Sequence, residues 1–310
     1  MIKIYYKKIN DKKLQEIDKF LVGSWMCVND PTEEEINFLN KKFFLDKDLI
    51  EDALDPFEVP RVELSDGIIY IFTRIPAREE NGKIITVPIL IAVGNNFVTT
   101  ITSHKLSLLS SFLKRDDDSK KDNDFSTTQK TKLVLQIFLA IDQEYSKFFA
   151  EINKEIKNIG LNLESIKNKN VIQFVSFEEI LGDFINSLVP TNSSFKNMLS
   201  GRFLNLYEED KDLIENLLLD NEQLIATCET NLKNIINMRK ACSTIMTNNL
   251  NKSIELLTLV AALIAIPTLI TSFYGMNVHL PFAEYKETSL YIIGVSIIAS
   301  CPILFFFLKK

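Results

Sequence analysis

Two long uncharged segments near the C-terminus dominate the hydrophobic pattern of the chain. The first runs for 19 residues, Leu256–Tyr274, and the second for 21 residues, Thr288–Leu308. At about 1.5 Å per helical residue, each forms a helix of about 28–32 Å, close to the roughly 30 Å hydrocarbon thickness of a bilayer. The pattern predicts two transmembrane helices, at 254–274 and 288–308, joined by an outer loop at 275–287.

Residues 1–125 carry a different pattern, typical of a mixed α/β domain. Stretches rich in β-branched and aromatic residues predict three strands, at Ile68–Ile75, Ile84–Val93 and Phe97–Thr102. Turn signals at Asn81-Gly82 and Gly94-Asn95 separate them, so an antiparallel meander is expected. Helical patterns predict three helices in the same region, at Asp11–Leu21, Thr32–Phe44 and Asp46–Leu54.

Beyond Thr127 the apolar residues follow helical spacing only, as expected for two helices at Thr131–Lys169 and Val171–Val189. We assign residues 126–200 to antiparallel helices. The polar Asp142 interrupts the apolar stripe of the first helix.

No proline occurs between Pro190 and Pro267, so one helix can run from the low 200s to Tyr274, a length on the order of 105 Å. We assign 201–253 to a stalk helix that leads directly into the first transmembrane helix. A lone helix of that length needs partners, so the pattern predicts a bundle or coiled assembly.

The charge balance separates the stalk and the preceding domain from the membrane segments. Acids outnumber bases 41 to 35, giving a net charge of −6, which argues against a nucleic-acid-binding protein. The charges after Lys252 cancel, so the excess belongs to residues 1–252. Residues 204–240 contain eight acids, which fit either a solvated helix face or a surface that binds divalent cations between subunits. Similarly, the charged stretch 115–124 is either a solvated linker or a cation-binding loop.

Basic residues indicate the orientation in the membrane. Arg239, Lys240 and Lys252 precede the first apolar segment, and Lys309 and Lys310 follow the second. Because basic residues favour the cytoplasmic side, we expect both termini in the cytoplasm and the loop outside. The four cysteines are scattered without a Cys-x-x-Cys pair, which agrees with a reducing compartment.

Enzyme motifs are missing from the sequence. It has only two histidines, His104 and His279, which are far apart, and it contains neither a Gly-Lys-Ser/Thr phosphate loop nor a Gly-x-Gly-x-x-Gly motif. We therefore expect no catalytic activity, no nucleotide-driven pumping and no cofactor.

One face of the first transmembrane segment consists of small and hydroxyl-bearing residues. With about 100° per residue, they fall within about 40° of Ile254. They are Thr258, Ala261, Ala265, Thr268 and Ser272, and together with Ile254 they form the stripe. Such a stripe suits close helix packing in a membrane, or a mildly polar pore wall. Two helices cannot enclose a pore, so the second alternative requires a homo-oligomer.

After this segment the chain reads Tyr274-Gly275-Met276-Asn277, which resembles the signature of the CorA family of divalent-cation transport proteins. Asp52-Ala-Leu-Asp-Pro-Phe-Glu-Val-Pro-Arg61 is similar to a block in that family's cytoplasmic domain. The resemblance implies an α+β cytoplasmic domain, a long stalk helix and a two-helix transmembrane hairpin, assembled as a funnel-shaped homopentamer in the cell membrane. It also implies passive transport of hydrated Mg²⁺, often with Co²⁺ or Ni²⁺.

Site residues follow from the same resemblance. Gly275, Met276 and Asn277 match the selectivity filter; Asn251 and Thr268 match polar pore positions, and Leu257 a hydrophobic constriction. For Asn277 to face the pore, the helix must break at Gly275. Glu284 in the outer loop is expected to attract cations.

The acidic excess before Lys252 suggests closure by cytoplasmic divalent cations, with Glu209, Asp212 and Glu215 as regulatory ligands. Two alternatives remain: a zinc transporter of the ZntB branch, which usually lacks Met at the middle of the triplet, and a membrane-anchored sensor or scaffold that conducts nothing.

Overall fold

The computed structural model describes residues 1–11, 13–104, 126–160, 168–204, 206–278 and 288–308. They form two compact units, Met1–Met238 and Arg239–Lys310. The first unit contains a sheet and the helices that cover it, and the second contains the apolar helices.

A seven-stranded sheet with the order β2-β1-β3-β7-β6-β5-β4 organises the first unit. Its strands are β1 Ile2–Tyr6, β2 Gln15–Ile17, β3 Ser24–Asn29, β4 Arg61–Ser65, β5 Ile68–Arg78, β6 Ile84–Val93 and β7 Phe97–Thr102. Strands β3 and β7 pair in parallel, and the other neighbours pair antiparallel. The mixed sheet places β7, the last strand in sequence, at its centre, between β3 and β6.

The predicted meander of β5, β6 and β7 is confirmed, with β5 extending three residues beyond Ile75. The helix predicted at Asp11–Leu21 is wrong. Residues Gln15–Ile17 instead form β2, whose Ile17 lies opposite Ile4 of β1. Among the described residues of the segment, only Leu14 is buried, and they form no apolar helix face. Antiparallel pairing with the preceding strand β1 outweighed the local helical period.

Helices α1 (Glu33–Phe43) and α2 (Lys47–Asp52) agree with two predicted helices. The N-cap of α1 is Thr32, whose hydroxyl accepts a hydrogen bond from the backbone of Glu35, while the Glu35 carboxylate accepts one from the backbone of Thr32. This reciprocal pair satisfies two amides at the helix start. Both helices share one hydrophobic core with the sheet, which includes Leu39, Leu45, Ile50, Tyr70 and Phe72.

Helices α3 (Lys130–Gly160) and α4 (Asn168–Leu199) also pack against the sheet. The ring centres of Phe138 and Phe195 lie 4.9 Å apart and those of Tyr145 and Phe184 5.0 Å, so the two helices are antiparallel, as predicted.

The predicted end of the second helix at Val189 is wrong, because α4 continues through Pro190 to Leu199. Proline removes one amide donor from a helix. The residues after Pro190 keep the helix packed, since Thr191, Asn192 and Phe195 are buried. Their burial outweighs the local cost of the proline.

Helix α5 runs without a break from Glu208 to Tyr274, and α6 spans Thr288–Leu308. The uninterrupted helix predicted from the low 200s to Tyr274 is thereby confirmed. Its buried residues in the first unit alternate at spacings of four and three: Asp210, Ile214, Leu217, Asn221, Leu224, Cys228, Asn231 and Ile235. That seam is typical of helices packed along their length.

The partners of this seam are the helices of the same chain. Asn221 donates a hydrogen bond to Asn192 of α4 at 2.8 Å. A Cβ added to Gly160 of α3 would lie 3.0 Å from Cε of Met238, so α3 and α5 approach closely. The stalk helix thus finds partners within one subunit over this stretch.

Candidate functional site

The Gly-Met-Asn triplet lies immediately after the end of α5. The amide of Gly275 donates to the carbonyl oxygens of Thr271 and Ser272, at 3.0 and 3.2 Å, and the amide of Met276 donates to Phe273 at 3.4 Å. A Cβ at position 275 would lie 3.3 Å from the Thr271 carbonyl oxygen. Glycine therefore suits this tight helix end.

Asn277 lies beyond the helix, in a bend, and is exposed together with Met276. Its side-chain amide is an uncharged group that offers one acceptor oxygen and two donor hydrogens. The chain leaves the helix before Asn277, so the orientation of this amide no longer follows the helical period.

The predicted pore positions share one property: all of them are exposed in the chain. They are Asn251, Ile254, Leu257, Thr258, Ala261, Ala265, Thr268 and Ser272. The half-buried positions of the same segment lie on the opposite face, centred about 160° from Ile254. They are Leu259, Ala262, Leu263, Ile266, Pro267, Ile270 and Tyr274. The small and hydroxyl-bearing stripe therefore faces away from the rest of the described chain.

The threonine hydroxyls of the stripe are held as hydrogen-bond acceptors. Thr258 donates its hydroxyl hydrogen to the carbonyl of Ile254 at 2.8 Å, and Thr268 donates to Ile264 at 2.7 Å. Because each hydrogen is used within the helix, the remaining lone pairs can accept hydrogen bonds from water. An uncharged row of acceptors suits a hydrated cation, since Mg²⁺ gives up its waters reluctantly.

Helix α6 carries two serines on its most buried face. Ser296 is buried, and Ile292 and Ser300 on the same face are half-buried, while most other described side chains of α6 are exposed. The hydroxyls of Ser296 and Ser300 donate to carbonyls one turn earlier, at 2.7 and 2.9 Å. Small residues of this kind allow close helix packing in a membrane.

The predicted regulatory acids lie at the start of α5. Glu209 lies 3.6 Å from Lys132 of α3, and Asp212 and Glu215 are exposed. Within the described ranges, no three His, Cys, Asp or Glu side chains are close enough to hold a metal ion together. The predicted outer-loop residue Glu284 lies outside the described residues.

The motif Asp52–Arg61 forms an ion-pair network. The Arg61 guanidinium contacts the carboxylates of Asp52, Glu58 and Glu63, with 2.8 Å to Asp52. Its central carbon lies 3.9 Å from the ring centre of Phe72 on β5. The arginine therefore fastens the segment after α2 to the edge of the sheet.

Asp142 is a residue to which the sequence reasoning gave no role. It lies on α3, half-buried, and its pKa rises to about 6, first because burial disfavours the charge and second because Asp220 of α5 carries the same charge. The interruption of an apolar helical stripe by a carboxylate was the available sequence signal.

One helix of the described chain, Glu208–Tyr274, is long and apolar enough over part of its length to cross a membrane. Helix α6 contains a shorter apolar portion, Leu290–Pro302. The first predicted span therefore corresponds to the C-terminal part of α5, and the second to α6.

Comparison with known proteins agrees with these features. The family model described as "CorA-like Mg2+ transporter protein" matches residues 22–310. The cobalt/magnesium transport protein CorA of Methanocaldococcus jannaschii is 26% identical over 294 residues, which cover 90% of this chain and 88% of that protein.

The fold resembles several solved structures. The complete CorA magnesium transporter of M. jannaschii has a TM-score of 0.81 at 21% identity, covering 100% of this chain and 98% of the other. The ZntB cytoplasmic domain of Vibrio parahaemolyticus has a TM-score of 0.63 at 9% identity, covering 80% of this chain and 99% of that domain. The family match spans most of the sequence, from the domain that contains the sheet to the last apolar helix, and the chain therefore belongs to the CorA-like family of Mg²⁺ transport proteins.

Proposed function

We propose that this protein is a passive channel for Mg²⁺ in the cell membrane, formed by five copies of the chain around a central pore. The observation that carries the proposal is the exposed stripe of α5, which leads from Asn251 to the Gly275-Met276-Asn277 triplet. Five such helices would enclose a path lined by small side chains, hydroxyls and amides. Both chain termini would lie in the cytoplasm.

The chemistry of the stripe suits a hydrated divalent cation. A ring of Asn277 amide oxygens can accept hydrogen bonds from the waters around Mg²⁺ without stripping them. Thr268 and Asn251 would offer further acceptors along the path, and Leu257 would form the narrow hydrophobic section. Co²⁺ and Ni²⁺ would pass by the same contacts when hydrated. Glu284 would raise the local cation concentration at the outer entrance.

The membrane potential is a sufficient driving force. Moving two positive charges inward gains about 4.6 kcal/mol per 100 mV at an inside-negative potential. The chain has no nucleotide-binding motif of the phosphate-loop or dinucleotide type. Transport therefore needs no chemical step by this chain.

We further propose closure by cytoplasmic Mg²⁺ bound between subunits at Glu209, Asp212 and Glu215. Their carboxylates lie near the start of α5, where Asp212 and Glu215 are exposed and could meet ligands from a neighbouring copy. Oxygen ligands of this kind suit hard cations. Binding would couple the internal Mg²⁺ concentration to the position of α5, the helix that also carries the stripe.

Substitution of Asn277 tests the channel directly. Asn277→Ala removes the amide ring and should reduce Mg²⁺ uptake into liposomes at least about tenfold, the effect of losing roughly 1.4 kcal/mol at the filter. Asn237→Ala, at an exposed amide outside the stripe, is the matched control and should transport normally. Light scattering should give the mass of five chains for all three proteins.

Unchanged uptake by assembled Asn277→Ala would refute the filter and leave the sensor or scaffold alternative. Uptake measured with Mg²⁺, Co²⁺, Ni²⁺ and Zn²⁺ on the unsubstituted protein distinguishes the ions. A preference for Zn²⁺ over Mg²⁺ would favour the zinc-transporter alternative. The ZntB cytoplasmic domain has a fold similar to that of this chain.

A further inference from the structure

Asp142 is a half-buried carboxylate of α3 that makes no hydrogen bond or ion pair with the described part of the chain. It lines a cavity of about 10 Å³ between α3, α4, α5 and strand β5. Thr73, Tyr145, Thr191 and Asn221 supply the other polar groups of its wall. Because the side chain is half-buried, its carboxylate loses part of its hydration, which disfavours the charged form.

The neighbouring polar groups are engaged elsewhere. The hydroxyls of Thr73 and Thr191 lie 3.2 Å apart, and Thr191 also donates to the Ser187 carbonyl at 2.8 Å. Tyr145 donates to the Arg74 carbonyl at 3.2 Å, and Asn221 donates to Asn192 at 2.8 Å. The donor hydrogens of the wall are thus directed away from Asp142.

The charged groups of the surrounding helices do not neutralise it either. Asp220 of α5, which is exposed, acts on Asp142 with a like charge. Lys196 of α4 pairs with Glu222 at 3.7 Å, and on α3 itself Lys147 pairs with Glu144 at 3.3 Å.

The remaining charges belong to β5 and α4. The Arg74 guanidinium of β5 donates to the carbonyls of Glu58 and Thr86, both at 2.7 Å. Asp183 of α4 interacts with Arg74, Lys83 and Glu179. Burial and Asp220 together raise the pKa of Asp142 to about 6.

The like charges oppose the contacts that hold α5 in place. Lys132 to Glu209, Lys196 to Glu222 and Asn221 to Asn192 all attract α5 to α3 or α4. Asp142 and Asp220 repel each other across the α3–α5 contact when both are ionised.

We propose that Asp142 is a protonation switch at this contact: binding a proton tightens α5 against α3, and releasing it loosens the contact. A proton removes one of the two like charges and supplies the hydrogen that the carboxyl group lacks. The proposed switch involves neither the proposed filter residues nor the proposed metal ligands. It can therefore be tested without measuring transport.

Thermal unfolding of the full-length protein in detergent with EDTA, between pH 4 and pH 8, tests the switch. The fluorescence of Trp25, the single tryptophan and fully buried, reports the first unit. Because the folded state holds the Asp142 proton more tightly, its stabilising effect is complete near pH 4 and is lost as the pH rises through about 6.

Asp142→Asn should therefore unfold at nearly the wild-type temperature at pH 4 and about 2–6 °C higher at pH 7.5. Asp220→Asn removes the like charge, so in this variant the loss of stability with rising pH should occur at a lower pH than in the wild type. Glu155→Gln, an exposed acid on the same helix, is the control and should follow the wild-type pH profile.

Hydrogen exchange of the α5 segment 214–228 measures the contact itself. After correction for intrinsic rates, this segment should be more protected at pH 5 than at pH 7.5 in the wild type, and equally protected in Asp142→Asn. Identical pH profiles for Asp142→Asn and the wild type would overturn the proposal. A difference seen only when Mg²⁺ replaces EDTA would also overturn it, because the site would then bind the cation rather than the proton.

Discussion

Several polar side chains of this protein are oriented by hydrogen bonds or ion pairs with nearby groups. The threonines of the stripe donate their hydrogens to helix carbonyls and keep lone pairs for water. Arg61 gathers three carboxylates and lies over Phe72, which gives the Asp52–Arg61 block a structural role in this chain. The motif therefore forms an ion-pair network in this chain.

Phe44 provides a test at the residue scale. It ends α1 in the left-handed conformation, with φ 57°, and its ring is 76% exposed. Phe44→Gly relieves this conformation and loses little buried area, so it should raise the free energy of unfolding by about 0.5–1 kcal/mol. Urea unfolding followed by Trp25 fluorescence measures the change.

Phe38→Gly is the matched control, because the same change inside α1 should lower stability by about 1 kcal/mol or more. A loss of stability in Phe44→Gly comparable to that of Phe38→Gly would contradict the explanation.

At the scale of elements, α5 carries two successive patterns on one continuous helix. Up to Ile235 its buried residues follow spacings of three and four against α3 and α4. From Asn251 onward an exposed stripe of small and polar residues lies opposite a half-buried apolar face. The first pattern is satisfied within one chain, whereas the second leaves a face without a partner among the described residues of this chain.

The start of α1 provides the test at this scale. Thr32→Ala removes the hydroxyl that accepts the Glu35 amide and should lower the free energy of unfolding by about 1 kcal/mol. Thr32→Ser keeps the oxygen and should remain within a few tenths of a kcal/mol of the wild type. Equal losses of stability in both variants would show that the methyl group of Thr32, rather than its capping hydroxyl, stabilises the protein.

At the scale of the whole molecule, exposed apolar side chains indicate surfaces that further copies can cover. Ile172 and Val175 on α4 are 70% and 48% exposed, in addition to the stripe of α5. A single chain cannot enclose a path for ions, so assembly and transport are one proposal. The excess of negative charge before Lys252 would favour divalent cations at the cytoplasmic surfaces of that assembly.

Regulation by internal Mg²⁺ is a prediction for the assembly. Flux should fall between micromolar and millimolar internal Mg²⁺, because cation binding at Glu209, Asp212 and Glu215 would favour the closed state. Replacing the three by Gln, Asn and Gln should raise the inhibitory concentration about 5–150-fold, the range of a typical allosteric coupling. Liposomes with buffered internal Mg²⁺ provide the measurement.

Glu229→Gln, at an exposed acid further along α5, is the control and should keep the wild-type inhibition. Equal flux of the wild type at micromolar and millimolar internal Mg²⁺ would contradict regulation altogether.

Local signals in the sequence were sufficient for the features that depend on nearby residues. The strands from β5 to β7, the helices α1 and α2, and the long α5 follow from alternation, helical period and the absence of proline between Pro190 and Pro267, although α5 also continues through Pro267. The triplet Gly275-Met276-Asn277 and the stripe also lie on one contiguous segment, so spacing alone was enough to group them.

Contacts between separate elements decided the rest. Strand β2 exists because β1 pairs with it, and α4 passes through Pro190 because the following turns are buried. The environment of Asp142 depends on α3, α4, α5 and β5 meeting around one carboxylate. Periodicity reports which face of a helix is apolar, but only the tertiary structure determines which charges face each other, because burial and Coulomb energy depend on distances between segments far apart in the chain.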